Sequence, residues 1–341
     1  MNLDDLVRPA ALGARLAAVT GDDGWLVFDA RLISGGKSNL TFLLTSDTGE
    51  LILRRPPNGQ LLPSAHDMRR EARVQAALAE SPVPVPRIVM VDDGPLLGTP
   101  CYVMTKVQGH IIRNAMPDSW ALESAERTAL ALSLVDTLAR LHAVEPAAVG
   151  LADFGRPEGY LVRQLARWTQ QWNRSATHEV PAIEQLAGLL RANVPPAARS
   201  VIVHGDFKLD NCVVGPDEPA ISAVLDWEMS TLGDPLTDLG LLLFYWRDPG
   251  EPPLSLAPSV STLAGFPSRA TLAARYAEQT RADLTQIDFY IAFANFKFAV
   301  IAQGIAARVA AGAMAGQSFG EIDSLVRDCA QAGLEMFGAG G

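Results

Sequence analysis

A polar loop enclosed by two short apolar runs is the feature that most limits how this chain can fold. The stretch VIVHGDFKLDNCVVG, residues 201 to 215, places a His, two Asp, a Lys and an Asn between runs of β-branched residues. Such runs predict buried strands, and a cluster of charges between buried strands needs a reason of its own. The sequence therefore predicts a strand, a functional loop and a second strand.

The apolar pattern divides the rest of the chain into a strand-rich first part and a helical second part. Strand signals occur in WLVFDARLI, NLTFLLTS, ELILRR, PRIVMVDD and PCYVMTKV, and short turns join the first three as in an antiparallel meander. One helix is predicted among them, over Ser64–Glu80, with Ser64 as its N-cap. From about Pro117 onwards, helical periodicity predicts helices around Leu130–Leu141 and at 158–173, 181–193, 235–246, 270–281, 285–311 and 320–336.

These patterns predict an α+β fold with two lobes. The N-lobe, residues 1–107, is expected to contain an antiparallel sheet with one main helix. The C-lobe, residues 108–341, is expected to be mostly helical and to contain the polar loop. Because 48% of the 341 residues are apolar, the chain can bury a core of this size.

Charge and cysteine content exclude several classes of protein. The 28 basic and 38 acidic residues give a net charge of -10, without a long basic block, which argues against nucleic-acid binding. Three widely spaced cysteines form neither a disulfide framework nor a zinc pattern, which suits a reducing compartment. The most apolar helical stretch is interrupted by Lys297, Gln303 and Arg308, so we expect a core helix and no membrane span. Because MNLDDLVRPA lacks a secretion signal, we expect a cytoplasmic protein.

The spacing of oxygen-bearing side chains around the polar loop indicates phosphoryl transfer. Asn211 follows Asp206 by five residues, and Asp226 ends the next apolar strand, ISAVLD. Phosphoryl transfer needs a carboxylate to orient an attacking hydroxyl, together with oxygen ligands that hold Mg²⁺ against nucleotide phosphates. The alternative interpretation is that these residues are only turn formers at strand ends.

Several motifs resemble the aminoglycoside and choline phosphotransferase family of the protein-kinase-like superfamily. The residues that carry the resemblance are HGDFKLDN, DWE and DPLTDL, which occur in the family's order. Four further stretches resemble the branch whose kinase domains are joined to acyl-CoA dehydrogenases, namely GGKSNLTFLL, LRRPPNGQLLPSAHDMRREARV, YVMTKVQG and RQLARWTQQW. The resemblance covers about residues 30 to 250 and implies a bilobal protein-kinase-like fold that uses ATP and Mg²⁺.

The resemblance also implies roles for individual residues. Asp206 would be the catalytic base, and Asn211 and Asp226 would hold Mg²⁺. Lys208 is a candidate to steady the transferred phosphate, although an exposed loop lysine is the alternative. The residues expected to bind the nucleotide are Gly35, Gly36 and Ser38 over the phosphates, Arg54 on the phosphates with Glu71 as its ion-pair partner, and the backbone of Met104, Lys106 and Val107 at adenine.

The chain departs from the family pattern at two positions. Arg54 stands where the family usually has a phosphate-binding Lys, and its planar guanidinium places charge differently from an ammonium. Glu228 replaces the Gly of the usual metal-binding tripeptide and is expected either to stiffen that loop or to reach a metal-bound water. Both departures leave the predicted catalytic base and the predicted amide and carboxylate ligands of Mg²⁺ in place.

Other polar and aromatic residues are expected to have structural roles. His204 would order the loop, Asp238 would brace it through backbone N–H groups, and His142 would be a satisfied core histidine. Asp234 and Pro235 have the pattern of an N-cap followed by a first helical residue. A stripe of aromatic residues with helical spacing is expected to pack in the core, and consists of Phe289, Phe293 and Phe296.

The predicted function is an ATP-dependent and Mg²⁺-dependent kinase that phosphorylates a hydroxyl of a small molecule. The resemblance implies a hydroxyacyl-CoA as acceptor, with Arg163, Lys297 and Arg308 as candidates to meet the CoA phosphates. An aminoglycoside is the rival acceptor, because a polycation suits an acidic cleft. A nucleotide-binding pseudokinase, motivated by Arg54, is the alternative from another class. The sequence leaves open the oligomeric state and the choice of ATP over GTP.

Overall fold

The computed structural model describes residues 3–35, 39–57, 67–117, 123–196, 199–310 and 322–338. The chain divides into two compact units, one formed by Met1–Gly109 with Ser222–Ser230 and the other by His110–Ile221 with Thr231–Gly341. The predicted boundary after residue 107 assigns Ser222–Ser230 to the C-lobe, whereas this segment groups with the first unit.

The helices and strands have the following bounds. The helices are α1 (Leu3–Val7), α2 (Pro9–Thr20), α3 (Met68–Leu78), α4 (Ser124–Ala143), α5 (Tyr160–Ser175), α6 (Pro181–Ala192), α7 (Leu236–Tyr245), α8 (Arg269–Thr280), α9 (Ile287–Ala310) and α10 (Ile322–Gly338). The strands are β1 (Asp29–Gly35), β2 (Leu40–Ser46), β3 (Gly49–Arg55), β4 (Ile88–Asp92), β5 (Cys101–Thr105), β6 (Val201–Val203), β7 (Cys212–Val214), β8 (Ile221–Val224) and β9 (Thr231–Gly233).

The first unit is built on a sheet with the strand order β1-β2-β3-β5-β4. Each neighbouring pair is antiparallel, and β1, β2 and β3 form the predicted meander. The stretch WLVFDARLI was predicted to be one strand, and this prediction is wrong in its first part. Asp23–Leu26 forms a 3₁₀ turn, and β1 begins only at Asp29. The carboxylate of Asp22 accepts a hydrogen bond from the Gly24 N–H, which favours the turn over a strand.

The main helix of this unit, α3, is shorter than predicted. It begins at Met68, and the side chain of Asp67 accepts a hydrogen bond from the Arg70 N–H at its N-cap. The predicted N-cap Ser64 lies outside the described residues. The observed cap places Glu71 in the first turn of α3, where it is buried.

Two helices at the start of the chain were not predicted from the sequence. The short segment α1 and the longer α2 contribute Leu6, Leu12 and Leu16 to the core beneath one face of the sheet. The buried guanidinium of Arg55 donates from Nη1 to the Leu6 carbonyl at 2.6 Å, which ties α1 to β3. This contact joins residues that are far apart in sequence, so the local sequence pattern could not predict it.

The second unit is mostly helical, and its predicted helices are confirmed with boundaries that agree within a few residues. Two strands in this unit, β6 and β9, pair antiparallel, with Ile202 opposite Leu232. The strand β9 was not predicted, because it is short and ends in Gly233. The predicted N-cap at Asp234 is wrong by one residue, because Pro235 is the N-cap and α7 begins at Leu236; the carboxylate of Asp234 accepts from the Leu236 N–H.

The longest helix, α9, packs against α5, α6, α7 and α10. Its segment Ile287–Val309 is long and apolar enough to cross a membrane by length and composition, yet 83% of its most apolar window is buried inside the protein. The predicted aromatic stripe is buried as expected, with Phe296 fully enclosed. At Gly240 of α7 an added Cβ would lie only 2.6 Å from the Cβ of Tyr290, so this glycine allows α7 and α9 to approach closely.

Candidate active site

The polar loop begins where β6 ends and is held by one buried carboxylate. Asp238, on the first turn of α7, accepts hydrogen bonds from the His204 N–H at 2.6 Å and from the Gly205 N–H at 2.8 Å. Gly205 has a φ of 83°, a left-handed conformation that favours glycine. The Asp206 N–H then donates to Nδ1 of His204 at 3.2 Å. These contacts fix the loop backbone that leads into the candidate base.

The carboxylate of Asp206 is surrounded by donors. Its Oδ2 accepts from Nδ2 of Asn211 at 3.0 Å and lies 3.0 Å from Nζ of Lys208. Its Oδ1 accepts from the Tyr245 hydroxyl at 3.4 Å. The Lys208 ammonium also lies over the Tyr245 ring, 4.8 Å from its centre. The side chain of Asp206 is nevertheless 24% exposed, so a substrate hydroxyl can reach it.

A 3₁₀ turn over Leu209–Asn211 places Asn211 at the end of the loop. Both side-chain hydrogen bonds of Asn211 use its amide nitrogen, which donates to the backbone carbonyl and to the carboxylate of Asp206. The amide oxygen therefore remains as the group that can bind a cation. Next to it, burial raises the pKa of Asp210, against the opposing effect of Lys208 and Arg113.

The carboxylate that holds the loop is itself part of a buried chain of polar groups. Nε2 of His142 lies 3.3 Å from Oδ2 of Asp238, and Nδ1 lies 2.6 Å from the Tyr276 hydroxyl. Burial alone would raise the pKa of Asp238, but His142 and the loop N–H groups lower it below its usual value. The predicted core role of His142 is confirmed, since the residue is buried and hydrogen-bonded.

In the first unit, one guanidinium group forms ion pairs with two carboxylates. Nη2 of Arg54, on β3, lies 3.0 Å from Oε1 of Glu71 and 3.0 Å from Oδ1 of Asp226. Arg54 and Glu71 are buried, whereas the Asp226 side chain is 33% exposed. Asp226 follows β8 in a left-handed conformation with a φ of 63°, which Asp tolerates better than most residues.

Burial and the surrounding acids shift the pKa values of this cluster. Burial raises the pKa of Glu71 to about 8, and burial also raises the pKa of the nearby Tyr102. Burial works to lower the pKa of Arg54, but the facing acidic groups outweigh it and raise that pKa. Arg54 is thus a permanent positive charge at the position where the family usually has a lysine.

The tripeptide that follows β8 is linked to the loop after β1. Nδ2 of the buried Asn39 donates to Oε2 of Glu228 at 3.3 Å. Asn39 is the residue immediately before β2. Of the two roles expected for Glu228, this contact favours that of stiffening the loop, because the carboxylate joins two chain segments of the first unit.

The other predicted nucleotide residues are described in part. Gly35 ends β1 and pairs with Leu40, whereas Gly36 and Ser38 lie outside the described residues. Met104 lies within β5, and its buried sulfur accepts from Nε2 of Gln75. The Lys106 ammonium donates to Glu50 at 2.8 Å, so this side chain is engaged within its own unit. Val107 follows β5 outside the strand.

The predicted Mg²⁺ ligands supply the donor atoms that this ion prefers. Asn211 presents an amide oxygen, and Asp226 retains Oδ2 while its Oδ1 accepts from Arg54. Within the part of the chain that the structure describes, no group of three or more His, Cys, Asp or Glu side chains could hold a metal. Mg²⁺ is usually bound by one or two protein oxygens together with substrate phosphates, so each of these hard oxygen donors has the chemistry that fits it.

Sequence reasoning missed Tyr102 and Tyr245. Tyr245 follows Asp238 by seven residues on α7, so both lie on the same helical face, and this spacing was a usable signal. Tyr102 stands opposite Arg54 in the β3–β5 register. That neighbour relation depends on strand order, which the sequence does not specify.

Comparison with known proteins identifies the family. Residues 29–290, more than half of the chain, match the phosphotransferase enzyme family. The chain therefore belongs to this family of kinase-like small-molecule phosphotransferases, as its ordered motifs predicted.

Longer relatives named as acyl-CoA dehydrogenases share much of the sequence. The chain is 37% identical over 322 residues to acyl-CoA dehydrogenase family member 11 from Rattus norvegicus, which covers 93% of this chain and 41% of that relative. The chain thus spans about two fifths of the length of the curated relatives that it matches.

Solved structures confirm the predicted fold. A Ralstonia eutropha protein, provisionally named an aminoglycoside phosphotransferase, superposes with a TM-score of 0.83 at 32% identity, covering 96% of this chain and 98% of that chain. A thermostable mutant of aminoglycoside phosphotransferase APH(4)-Ia, solved with ADP and hygromycin B, shares the fold with a TM-score of 0.63 at 15% identity, covering 97% of this chain and 100% of that chain.

Proposed function

We propose that this chain transfers the γ-phosphoryl group of ATP to a hydroxyl of a small molecule. The observation that carries the proposal is the partly exposed carboxylate of Asp206, held by Asn211 and Lys208 at 3.0 Å each. A carboxylate fixed in this way can orient an acceptor hydroxyl and accept its proton. The ADP-bound relative supports the choice of an adenine nucleotide as phosphate donor.

The chain's own residues divide the remaining work. Arg54, as a permanent charge, would bind phosphate oxygens, and Glu71 would keep its guanidinium in place. Lys208 would offset negative charge near Asp206 during transfer. Asn211 and Asp226 are the residues that would hold Mg²⁺, which when bound neutralises charge on the phosphates.

The acceptor that we favour is a hydroxyacyl-CoA. Curated relatives that match about nine tenths of this chain are named acyl-CoA dehydrogenase family member 11, which supports an acyl-CoA substrate. A cavity of about 400 Å³ in the second unit, beside the C-terminal end of α7, supports the same choice. Its lining mixes apolar residues such as Phe244 and Leu325 with the polar residues Arg247, Asn295 and Asp328, a mixture that suits an amphipathic acceptor.

The basic residues expected to meet CoA phosphates do not all remain candidates. Lys297 is buried and donates to a backbone carbonyl, so it does not stand at an entrance. The guanidinium of Arg163 donates to the carbonyls of Glu158 and Arg156. Arg308 is exposed and remains a candidate, and Arg247, which lines the cavity and pairs with Glu251 at 3.3 Å, is a further one.

The test of the transfer reaction is the substitution Asp206→Asn. Release of ADP is measured with hydroxyacyl-CoAs, aminoglycosides and choline as acceptors, and the variant is expected to lose about 10²- to 10⁴-fold in rate. The matched control is Asp217→Asn, on an exposed loop of the same unit, which is expected to keep the wild-type rate. Near-normal turnover by Asp206→Asn would disprove its assignment as the base.

The same panel decides between the acceptors. Turnover with hydroxyacyl-CoAs and none with aminoglycosides is the expected result, and the reverse would replace our acceptor by the rival. A pseudokinase is the second candidate, because Arg54 already satisfies two carboxylates without a ligand. Thermal stabilisation by ATP and Mg²⁺ without turnover on any acceptor would favour it.

A further inference from the structure

The long apolar helix α9 contains a buried lysine to which the proposed reaction assigns no role. Lys297 lies on α9 within the segment whose mean hydropathy is 1.4, and the residue is 8% exposed. Moving an ammonium ion out of water costs several kcal/mol unless other groups compensate it. The burial of Lys297 therefore requires neighbouring groups that offset this free-energy cost.

The ammonium of Lys297 makes two contacts. Its Nζ donates to the carbonyl oxygen of Gly205 at 2.6 Å, and it lies 5.4 Å from the centre of the Trp168 ring. A neutral carbonyl and an aromatic face offset only part of the cost of burying a full charge. Consistent with this balance, burial lowers the pKa of Lys297.

The charges around Lys297 offset only part of the remaining cost, since burial still lowers its pKa. Asp206 and Asp238 attract its ammonium, whereas Lys208 and Arg167 repel it. The carboxylate with the largest effect is Asp206, the candidate base itself.

The carbonyl that Lys297 binds belongs to the residue directly before the base. Asp238 binds the N–H group of Gly205 while Lys297 binds its C=O group, so two helices hold the same residue at opposite ends. Gly205 has left-handed backbone geometry, and the orientation of its carbonyl sets the direction in which the chain enters Asp206. A change at Lys297 would therefore be transmitted to the position of the carboxylate.

We propose that Lys297 is a positioning residue for Asp206, acting through the Gly205 carbonyl. This inference rests on the proposed phosphotransferase activity. It assigns to α9 a direct part in organising the polar loop. A lysine that served only to pack α9 against α5 would have no effect on the reaction beyond its effect on stability.

The experiment compares Lys297→Met with Gln303→Met. Both residues are buried on α9, and Gln303 donates to Ser175 and Thr177 at 3.1 Å each, away from the polar loop. The assay is the Mg²⁺-dependent hydrolysis of ATP by water, which needs no identified acceptor, together with the acceptor found in the panel. The affinity for ATP is measured in parallel by titration.

Lys297→Met is expected to lower kcat by about 10- to 100-fold while the KM for ATP stays within about twofold of the wild type. Gln303→Met is expected to lose stability and keep its kcat. Lys297→Arg retains the charge and is expected to recover part of the lost rate. If the methionine variant does not fold, Lys297→Gln, which lacks the charge but can still donate, is expected to lose kcat beyond the Gln303→Met control.

The outcomes separate this inference from the proposed function. Wild-type kcat in folded Lys297→Met or Lys297→Gln, with an active wild-type protein, would overturn the role of Lys297 alone. A rise in the KM for ATP without a fall in kcat would also overturn it, because a positioning residue acts on the chemical step. A wild-type protein that is inert with ATP in both assays would overturn the proposed function, and this inference with it.

Discussion

The hydroxyl of Tyr245 lies 3.4 Å from Oδ1 of Asp206, on the side of the carboxylate that faces neither Asn211 nor Lys208. Tyr245 is buried, and its burial raises its pKa well above the usual value, so the hydroxyl remains a donor at physiological pH. The second oxygen of the candidate base is therefore oriented by a neutral group from α7.

Replacing Tyr245 by Phe is expected to lower kcat by about threefold to tenfold, because Asp206 loses one of its orienting hydrogen bonds while the ring remains in place. Steady-state ADP release measures the effect. The control is Tyr290→Phe, which removes a buried hydroxyl that donates to Asp234 at 2.7 Å and should affect stability more than kcat. Equal kcat losses in the two variants would refute a specific role for the Tyr245 hydroxyl.

Arg54→Met is expected to destabilise the protein by about 1–3 kcal/mol, because Glu71, whose pKa burial raises to about 8, is left as a buried carboxyl group without the donor that faces it. The double variant Arg54→Met with Glu71→Met is expected to regain most of this stability, since no buried polar group of the pair is then left without a partner. Urea unfolding of both proteins measures the difference. Additive destabilisation in the double variant would show that the two side chains are not energetically coupled.

Asp238→Asn is expected to destabilise the protein by about 3 kcal/mol at pH 7, because an amide cannot accept from both loop N–H groups as the carboxylate does. The pKa of Asp238 is lowered in the folded state, so its unfolded form binds a proton first as the pH falls. The wild-type advantage is therefore complete above about pH 4 and decreases as the pH falls through the folded-state pKa. Denaturant unfolding from pH 7 to pH 3 tests this, and a difference that does not change with pH would contradict it.

Gly240→Ala is expected to destabilise the protein by about 1–3 kcal/mol, because its Cβ would meet the Cβ and backbone of Tyr290 below 3.0 Å. Gly188→Ala, on α6 with no heavy atom within 4 Å of the added Cβ, is the matched control. That variant is expected to gain about 0.5–1 kcal/mol from helix propensity. Thermal unfolding compares the two, and a neutral Gly240→Ala would show that α7 and α9 can separate without loss.

The sequence was sufficient for features that depend on local pattern. The helices of the second unit follow from apolar periodicity, as in the leucine face of α4, and the meander follows from β-rich runs separated by turn residues. The loop from His204 to Asn211 was recognisable because its polar residues occur at fixed spacing between two strands. Each of these signals lies within a few consecutive turns or strands.

Features that depend on tertiary neighbours could not be predicted in the same way. The strand β9 is too short to have a pattern of its own and exists because it pairs with β6. Lys297 precedes no motif and lies 92 positions from the carbonyl that it binds. Tyr102 becomes a neighbour of Arg54 only through the order of strands in the sheet.

The attachment of two consecutive loop amides to Asp238 has a consequence for substrate affinity. Ordering a backbone residue costs about 1–2 kcal/mol of conformational entropy. Here that loss is incurred once, during folding, by contacts internal to the second unit. An arriving substrate need not immobilise this segment, so its binding free energy is not reduced by the ordering of the loop.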